Sequence, residues 1–326
     1  MSKGLKLHVV AGLAAALAAA VPHAIAQAPA YPTKPVRMIV SSGAGGGLDF
    51  VARQVATPLS EALGQTVVVD NRAGASGSIA AELASQAAAD GHTLMFLSAS
   101  LVVYGIVNTT RYDLYRDFAP VTQAAAAPYM LTVYPGLPVR TVKELIAYAK
   151  ANPSKLNYAS TGNASLAHLA SELFRYSSGT ELVHVPYKGV GAALGDMLSG
   201  RVQMSFLSAG SVHAQVRAQK LKPIAIASTA RAKMAPEVPT MIESGMPGFV
   251  VTQWHGVLAP RGTPRPVIAR LHKEIFKVMQ LPEVASRLAL DGTEGIASSP
   301  EEFAAHLKSE REQWAKVAKA ANIRGD

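Results

Sequence analysis

Cysteine is absent from the 326-residue chain, and aromatic residues make up only 6% of it. Without cysteine there is no disulfide framework and no thiol nucleophile, so stability must come from a packed apolar core. Hydrophobic residues make up 49% of the chain, which supplies such a core, and the length suits two domains of ordinary size. A chain low in aromatics and rich in Ala, Gly and Val is typical of layered α/β packing.

Long apolar runs are lacking after the N-terminus. There, Lys3 and Lys6 precede an uncharged run over residues 7–21, and Ala24-Ile25-Ala26 follows. This order predicts a signal peptide over residues 1–26 with cleavage after Ala26. The run is shorter than the ~20 residues that a membrane-spanning helix needs. We therefore expect a protein exported to the periplasm.

Clusters of like charge are also lacking. The 31 basic residues less Lys3 and Lys6 leave 29 against 22 acidic ones, a formal charge of +7. These Lys and Arg residues are scattered singly and form no run of the kind that tracks a phosphate backbone. We expect no nucleic-acid partner and interpret the charge as mild attraction for anionic solutes and membrane surfaces.

Predicted strands and helices alternate along most of the chain, which indicates a mostly parallel sheet covered by helices. The strands fall at residues 36–40, 66–69, 93–97, 129–133, 156–158, 182–185, 204–207, 223–227 and 254–258. The helices fall at residues 48–63, 78–88, 141–151, 165–178 and 191–198, and only helices follow residue 264. Ser299 and Glu302 form a predicted capping box for the last helix.

The N-terminal block has too few helices to cover its own sheet. We therefore infer that the C-terminal helices return to it, so that domain 1 comprises residues 27–127 with 250–326 and domain 2 comprises residues 128–249. Two crossings between the domains favour hinge closure on a ligand.

The first Gly turn, Ser41–Gly47, lies between a strand and a helix whose first turn holds Asp49. Dense glycine lets the backbone approach a ligand, and a helix N-terminus favours negative charge, so this turn predicts an anion site. A phosphate-binding loop is excluded because Gly47 is followed by Leu48 rather than Lys. A dinucleotide site is disfavoured, although Asp70 ends the next strand, because the third glycine of its fingerprint would fall at Leu48.

The second Gly turn, Asn71–Ser78, repeats this geometry one strand over, so both turns should emerge at the edge where open α/β sheets bind ligands. Asn71 and Ser76 can add side-chain hydrogen bonds. Arg72 pairs either with a ligand carboxylate or with Asp70.

Two polar segments in the middle of the chain are further candidates. Thr161–His168 opens a helix, with Ser165 placed as its N-cap; His168 faces either the cleft or the core, and the core is the usual place. The segment His184–Gly189 brings Tyr187 and Lys188 to the same edge, where Lys188 either contacts an anion or stays solvated.

Motifs for catalysis are lacking. There is no Gly-x-Ser-x-Gly elbow, and the nine histidines show no His-x-His or His-Glu-x-x-His spacing. We expect no enzyme activity, no metal and no cofactor.

Many ordered motifs resemble the Bug family, the solute-binding receptors of tripartite tricarboxylate transporters. They cover essentially the whole mature chain. The segments are Tyr31-Pro32-x-Lys34-Pro35-Val36-Arg37, Ala44-Gly45-Gly46-x-x-Asp49, Gly64-Gln65-x-Val67-Val68-Val69-x-Asn71-Arg72-x-Gly74-Ala75-x-Gly77, Asp90-Gly91-x-Thr93-Leu94, Tyr158-x-Ser160-Thr161-Gly162, His184-Val185-Pro186-Tyr187-Lys188-Gly189, Pro239-Thr240, Trp254-x-Gly256 and Ala259-Pro260-x-Gly262-Thr263-Pro264.

The resemblance implies a two-lobed, type II-like periplasmic binding fold, in which each lobe is a mixed sheet flanked by helices and the ligand cleft lies between the lobes. It also implies that backbone groups of the two Gly turns, partly through water, hold one carboxylate. The implied contacts from the first lobe are Ala44, Gly45, Gly46, Asp49, Asn71, Ala75 and Gly77, with Ser76 added from the turn itself. From the second lobe they are Thr161, Ser165, Tyr187, Lys188 and Gly189.

The chain departs from the family at several positions. Ser41-Ser42 replace the usual Pro-Phe, Leu48 replaces Thr, and Ala164 replaces Gly. Phe206 is followed by Leu207-Ser208 where an acidic residue that would suit a ligand amino group is common. This favours plain mono- or dicarboxylates, aromatic acids included, over amino acids.

The leading hypothesis is a monomeric periplasmic receptor that captures a small carboxylate and delivers it to the membrane subunits of a tripartite tricarboxylate-type transporter. Two alternatives stay open at this point: a sensing receptor for a signalling partner, and an exported enzyme.

Overall fold

The computed structural model describes residues 31–290 and 292–324, so the predicted signal peptide, residues 1–26, lies outside the described residues. The strands are β1 (Val36–Val40), β2 (Val67–Asn71), β3 (Thr93–Ser98), β4 (Phe118–Val133), β5 (Asn157–Ser160), β6 (Val183–Pro186), β7 (Met204–Ser208), β8 (Lys222–Ala227), β9 (Thr252–Pro260) and β10 (Glu294–Gly295). The helices are α1 (Gly47–Leu63), α2 (Ser78–Ser85), α3 (Ala99–Val107), α4 (Val142–Ala151), α5 (Leu166–Ser178), α6 (Val190–Leu198), α7 (Ala209–Arg217), α8 (Arg265–Met279), α9 (Pro282–Leu290) and α10 (Pro300–Ala320).

The strands form one 10-stranded mixed sheet in the order β2-β1-β3-β9-β4-β7-β5-β6, with β8 and β10 also paired to β4. Strand β1 is parallel to β2 and β3, and β5 is parallel to β6 and β7. The central strands β9 and β4 are antiparallel to their neighbours. The alternating pattern therefore predicted the two parallel parts and missed the antiparallel centre.

Strand β4 runs through both parts of the sheet. Residues 118–128 pair with β9, and residues 129–133 pair with β7 and β8. The predicted strand began only at Tyr129, because Pro120 and Pro128 lower the strand propensity of the segment before it. Register shifts around Pro120 let this segment pair nevertheless. We call β1, β2, β3, β9 and β10 with their helices the N-terminal group, and β5 to β8 with theirs the middle group.

The end of the chain returns to the N-terminal group. Strand β9 pairs with β3, and α8 buries Leu271, Ile275 and Val278 in the same core cluster as Val55 and Leu59 of α1. The spacing of the three α8 residues puts them on one face of the helix. The domain boundaries at residues 127–128 and 249–250 stay a prediction.

Helix α10 begins at the predicted capping box: the Ser299 side chain accepts from the Glu302 N–H, and the Glu302 carboxylate accepts from the Ser299 N–H. Farther along, the Glu310 carboxylate accepts hydrogen bonds from the indoles of Trp254 and Trp314 at 3.1 and 2.8 Å. Burial raises the pKa of Glu310, although these two hydrogen bonds act to lower it. Among the described helices, α10 included, none is both long and apolar enough to cross a bilayer.

Polar turns follow the carboxyl ends of neighbouring strands. The first Gly turn joins β1 to α1, the second joins β2 to α2 through a short 3₁₀ turn at Ala75–Gly77, and β3 runs directly into α3. Because β1, β2 and β3 are parallel, these three segments lie at one edge, as predicted for the two Gly turns. Helices α3 and α7 were not predicted; the run from Leu101 to Val107 is nearly all apolar, and periodicity does not separate a short buried helix from a strand.

Candidate ligand-binding cleft

A cavity of about 320 Å³ lies where the N-terminal group faces the middle group. It is lined by Ser41, Ser42, Leu48, Ser76, Ser98, Ser100, Thr161, Gly162, Asn163, Ala164 and Ser165. Of these described lining residues, none has a charged side chain, and most offer a hydroxyl group. The cavity therefore combines both Gly turns, the start of α3, and the segment Thr161–Ser165, which we call the middle turn.

The Asp49 carboxylate holds the first Gly turn in shape. It accepts hydrogen bonds from the Gly45 N–H at 2.8 Å, from Arg53 Nε at 3.0 Å and from Asn71 Nδ2 at 3.0 Å, and the residue is only 4% exposed. Burial acts to raise the pKa of Asp49, but the hydrogen bonds from Arg53, Gly45 and Asn71 outweigh it, and the pKa lies below its ordinary value. Asp49 is therefore ionised at neutral pH.

Asn71 ties the end of β2 to the first Gly turn. Its amide donates to the Ser42 carbonyl at 3.1 Å and to Asp49, and its carbonyl oxygen accepts from Arg53 at 3.2 Å. Asp49 and Asn71 are predicted ligand contacts, but neither lines the cavity, and both side chains are engaged in bracing the turn. The serines that do line it, Ser41 and Ser42, are those at which the chain departs from the Bug pattern.

The second Gly turn has four consecutive residues with positive φ: Gly74 (123°), Ala75 (46°), Ser76 (51°) and Gly77 (96°). Of these, only Ser76 lines the cavity. At Gly77 the two turns nearly touch, since a Cβ there would lie 2.7 Å from the Ser41 Cβ. Glycine is therefore required at position 77 both by φ and by the close approach.

Arg72 pairs with Asp70, the second of the two roles predicted for it. Its Nε donates to Asp70 Oδ1 at 3.0 Å, and Arg37 donates to the other oxygen of the same carboxylate. Burial acts to raise the pKa of Asp70, but the hydrogen bonds from Arg37 and Arg72 outweigh it and lower the pKa. Arg72 thus completes a structural ion pair at the end of β2.

Ser98 and Ser100 are cavity residues that sequence reasoning missed. Ser98 is the N-cap residue of α3, yet its side chain makes no capping hydrogen bond, and the residue lines the cavity. One signal could have found it: β3 is predicted parallel to β1, so the polar Ser98-Ala99-Ser100 after it must reach the same edge.

The middle turn opens α5 as predicted. The Ser165 hydroxyl accepts the His168 N–H at 3.2 Å, which makes Ser165 the N-cap residue, and His168 is buried at 8% exposure. Ala164, which replaces the family's usual Gly, has φ 53°. This left-handed conformation explains why glycine suits that position.

The remaining predicted residues lie outside the cavity lining. The Tyr187 hydroxyl donates to Asp196 at 2.8 Å, and burial together with this bond raises the pKa of Tyr187 to about 12. Lys188 is exposed, and Gly189 (φ 95°) precedes α6. Ala44, Gly45 and Gly46 are exposed at the tip of the first Gly turn. Thus, of the thirteen predicted site residues, Ser76, Thr161 and Ser165 line the cavity and the other ten do not.

A larger cavity of about 700 Å³ lies between the C-terminal half of α5, residues 245–249 and α10. Its lining is largely apolar and includes Leu173, Phe249 and Val317, with Lys316 as a charged side chain. Among the described helices, none begins at this cavity, so it has no helix N-terminus to hold an anion. We place the ligand site in the smaller cavity for that reason.

The smaller cavity is suited to binding an anion. Helices α1, α3 and α5 all begin at it, and the first N–H groups of a helix lack intrahelical partners and favour negative charge. It is poorly suited to nucleophilic catalysis. Ser160 Oγ lies 2.6 Å from His184 Nε2, but Ser160 is fully buried and also hydrogen-bonded to Gly162, so its hydroxyl cannot reach a substrate.

The comparison with known families identifies the class. Residues 51–323 match the family described as "Tripartite tricarboxylate transporter family receptor", and the chain belongs to this family. The fold is that of its two-lobed periplasmic binding proteins, as predicted. The members are solute-binding receptors rather than a class of enzymes.

Individual relatives agree with this assignment. BugT of Bordetella pertussis is 35% identical over 292 residues, covering 89% of this chain and 90% of BugT, which confirms the resemblance to the Bug family. Rpa4515 of R. palustris, solved with adipate, is 34% identical with a TM-score of 0.77, covering 90% of this chain and 99% of that one. MatC of Rhodopseudomonas palustris, solved with bound malate, is 29% identical with a TM-score of 0.72, covering 88% and 99%.

Proposed function

We propose that this protein is a periplasmic receptor that captures a small carboxylate in the 320 Å³ cavity and delivers it to the membrane subunits of a tripartite tricarboxylate-type transporter. It acts as a monomer, without cofactor and without covalent chemistry. The observation that carries the proposal is the cavity lining, in which hydroxyl groups and the starts of three helices converge on one space. Such neutral donors bind a carboxylate without a cationic side chain.

The ligands of the solved relatives support the same class. Adipate and malate are both small dicarboxylates, and both relatives share the fold over nearly the whole chain. No acidic side chain is found among the described lining residues that could pair with a ligand ammonium group. Plain mono- or dicarboxylates, aromatic acids included, therefore fit the cavity better than amino acids.

A thermal-shift screen of the mature protein tests this proposal. The panel consists of adipate, malate and benzoate, with adipamide as the neutral control and aspartate as the amino-acid control. A ligand at 100 times its Kd adds about 2.7 kcal/mol to the free energy of unfolding, so a binding acid raises the melting temperature clearly. Stabilisation by adipamide or neutral sugars, with none by the acids, would contradict an anion site.

Delivery to a transporter is tested separately in cells. Deleting the gene should abolish uptake of the radiolabelled acid found in the screen, and restoring it should recover uptake. Undiminished uptake in the deletion strain, in the absence of another receptor for the same acid, would contradict the transport role.

A further inference from the structure

A stack of three rings, two of them buried and the third half-buried, supports the middle turn. Tyr158 on β5, His184 on β6 and His168 on α5 lie face to face, with ring centroids 4.9 Å apart between Tyr158 and His184 and 3.9 Å apart between the two histidines. Tyr158 is fully buried and His168 is 8% exposed. Neither imidazole lines the cavity, so their role there is indirect.

Hydrogen bonds join both imidazoles to the backbone of the middle turn. The Ala164 N–H donates to His168 Nδ1 at 3.1 Å. Ser160 Oγ lies 2.6 Å from His184 Nε2, accepts the Gly162 N–H at 3.2 Å and donates to the Gly162 carbonyl at 3.0 Å. The shape of the turn, with its left-handed Ala164, therefore depends on these two side chains.

The two histidines differ in their response to a proton. His168 Nδ1 accepts a hydrogen bond, so it must carry no hydrogen; protonation places one there and removes the bond from Ala164. When His184 is protonated, its Nε2 can donate to Ser160 Oγ while the Ser160 hydrogen turns to the Gly162 carbonyl, so a proton on His184 leaves these contacts in place. His168 is thus the sensitive member of the stack.

Among the charged and titratable groups around His168, only Glu172 acts to raise its pKa, and burial, His184 and Arg175 outweigh it. On its own helix, Glu172 accepts from the Tyr158 hydroxyl at 2.7 Å and from Arg175 Nε at 2.9 Å, so its charge is already paired. From β6 the second imidazole, His184, stacks directly on the ring. Burial, and next the neighbouring His184, lower the pKa of His168 to about 4.

We propose that His168, supported by His184, is a positioning residue that keeps the middle turn in its carboxylate-binding shape, so that acidification opens the turn and weakens ligand binding. This inference rests on the proposed carboxylate site for its effect on affinity. Its effect on the turn itself does not depend on any ligand.

The direction of the pH effect follows from the two states of the turn. In the formed turn the pKa of His168 is about 4, whereas in an opened, solvated turn it returns to its ordinary value of 6.5. The formed turn is therefore fully favoured above pH 6.5 and loses stability as the pH falls from there towards 4. Between pH 7 and pH 5 the ratio of opened to formed turn rises about twentyfold.

Hydrogen exchange of the Ala164 amide, followed by NMR in the ligand-free mature protein, tests the turn. After correction for the intrinsic exchange rate, its protection should fall about twentyfold from pH 7 to pH 5. In His168→Asn, whose side-chain oxygen accepts a hydrogen bond at either pH, protection should be the same at both. Equal loss of protection in the wild type and in His168→Asn, or no loss in the wild type, would overturn the proposal.

Calorimetric titration with adipate and malate at pH 7 and pH 5 tests the consequence for binding. From pH 7 to pH 5, the wild type should lose more affinity than His168→Asn does, because the titration of the ligand itself affects both proteins equally. His168→Phe should bind weakly at both pH values. His306→Asn is the matched control, a half-buried histidine in α10 away from the cavity, and should keep the wild-type pH profile. If neither acid binds the wild type at pH 7, the proposed ligand class fails while the exchange result still decides the role of His168.

Discussion

Gly77 lies where the two Gly turns come closest together. Its φ is 96°, and a Cβ would lie 2.7 Å from the Ser41 Cβ. Gly77→Ala therefore combines a strained backbone, about 1–2 kcal/mol, with displacement of a cavity-lining residue. We expect the affinity for adipate to fall about tenfold or more, equivalent to about 1.4 kcal/mol, as measured by calorimetry.

Gly64→Ala is the matched control for this variant. Gly64 also has positive φ (69°), but open space surrounds its missing Cβ, and it ends α1 at the end farther from the cavity. This change should lower the free energy of unfolding by about 1 kcal/mol and leave the affinity unchanged. An equal loss of affinity in both variants would show that the contact between the turns does not shape the site.

Asp49 gives a pH-dependent prediction at the same scale. Asp49→Asn removes the ion pair with Arg53 and places the new side-chain amide against the amide of Asn71. The free energy of unfolding at pH 7 should therefore fall by about 1–3 kcal/mol. Since the folded pKa lies below the ordinary 3.8, this stabilisation is present above pH 3.8 and is lost as the pH falls further. Urea unfolding at pH 7 and pH 3 measures it. A difference of the same size at both pH values would contradict the role of the charge.

Residue roles were the least predictable part of the site. Asp49 and Asn71 occupy the family's ligand-contact positions, yet in the structure their polar atoms meet Gly45, Ser42 and Arg53. These hydrogen bonds join β2 to the first Gly turn, and spacing along the chain contains no information about them. The glycines were predictable because positive φ and close approach restrict the residue type locally.

At the scale of elements, α3 and α5 both begin at the cavity with a serine, but the two serines act differently. The Ser165 hydroxyl caps α5, whereas the Ser98 hydroxyl makes no capping bond to α3. Ser165→Ala should lower the free energy of unfolding by about 1 kcal/mol. Ser98→Ala should leave stability unchanged and weaken adipate binding by about threefold to tenfold, the effect of one lost hydrogen bond.

Denaturant unfolding and calorimetry on both variants separate these effects. Wild-type affinity in Ser98→Ala would place the ligand away from the start of α3. Unchanged stability in Ser165→Ala would show that the cap contributes nothing to α5.

Elements with local signals at their ends were predicted well. Helix α1 ends at Gly64 in the left-handed conformation, α5 begins at Ser165, and α10 begins at the Ser299 capping box. Strand β4 was predicted too short because its first part is an Ala-rich segment between two prolines, and only pairing with β9 makes it a strand. Tertiary pairing, rather than propensity, decides such segments.

At the scale of the whole molecule, the cavity exists because two strand groups face each other. Strand β4 connects the groups, since it pairs with β9 of one and with β7 and β8 of the other. The starts of α1 and α3 come from the N-terminal group, and the start of α5 comes from the middle group. The alternation of elements predicted two layered parts, and the family motifs predicted how they face. The cavity lining was accessible only from the structure, because Ser41, Ser98 and Asn163 are far apart in the sequence.

A crystal structure of the mature protein with the acid that gives the greatest thermal shift tests the central claim most directly. We expect one ligand carboxylate within hydrogen-bond distance of the backbone N–H groups of the Gly turns and of the Ser98 hydroxyl, with the middle turn closing over it. A ligand found instead in the apolar cavity between α5 and α10, with the space between the Gly turns and the middle turn holding only water, would contradict it.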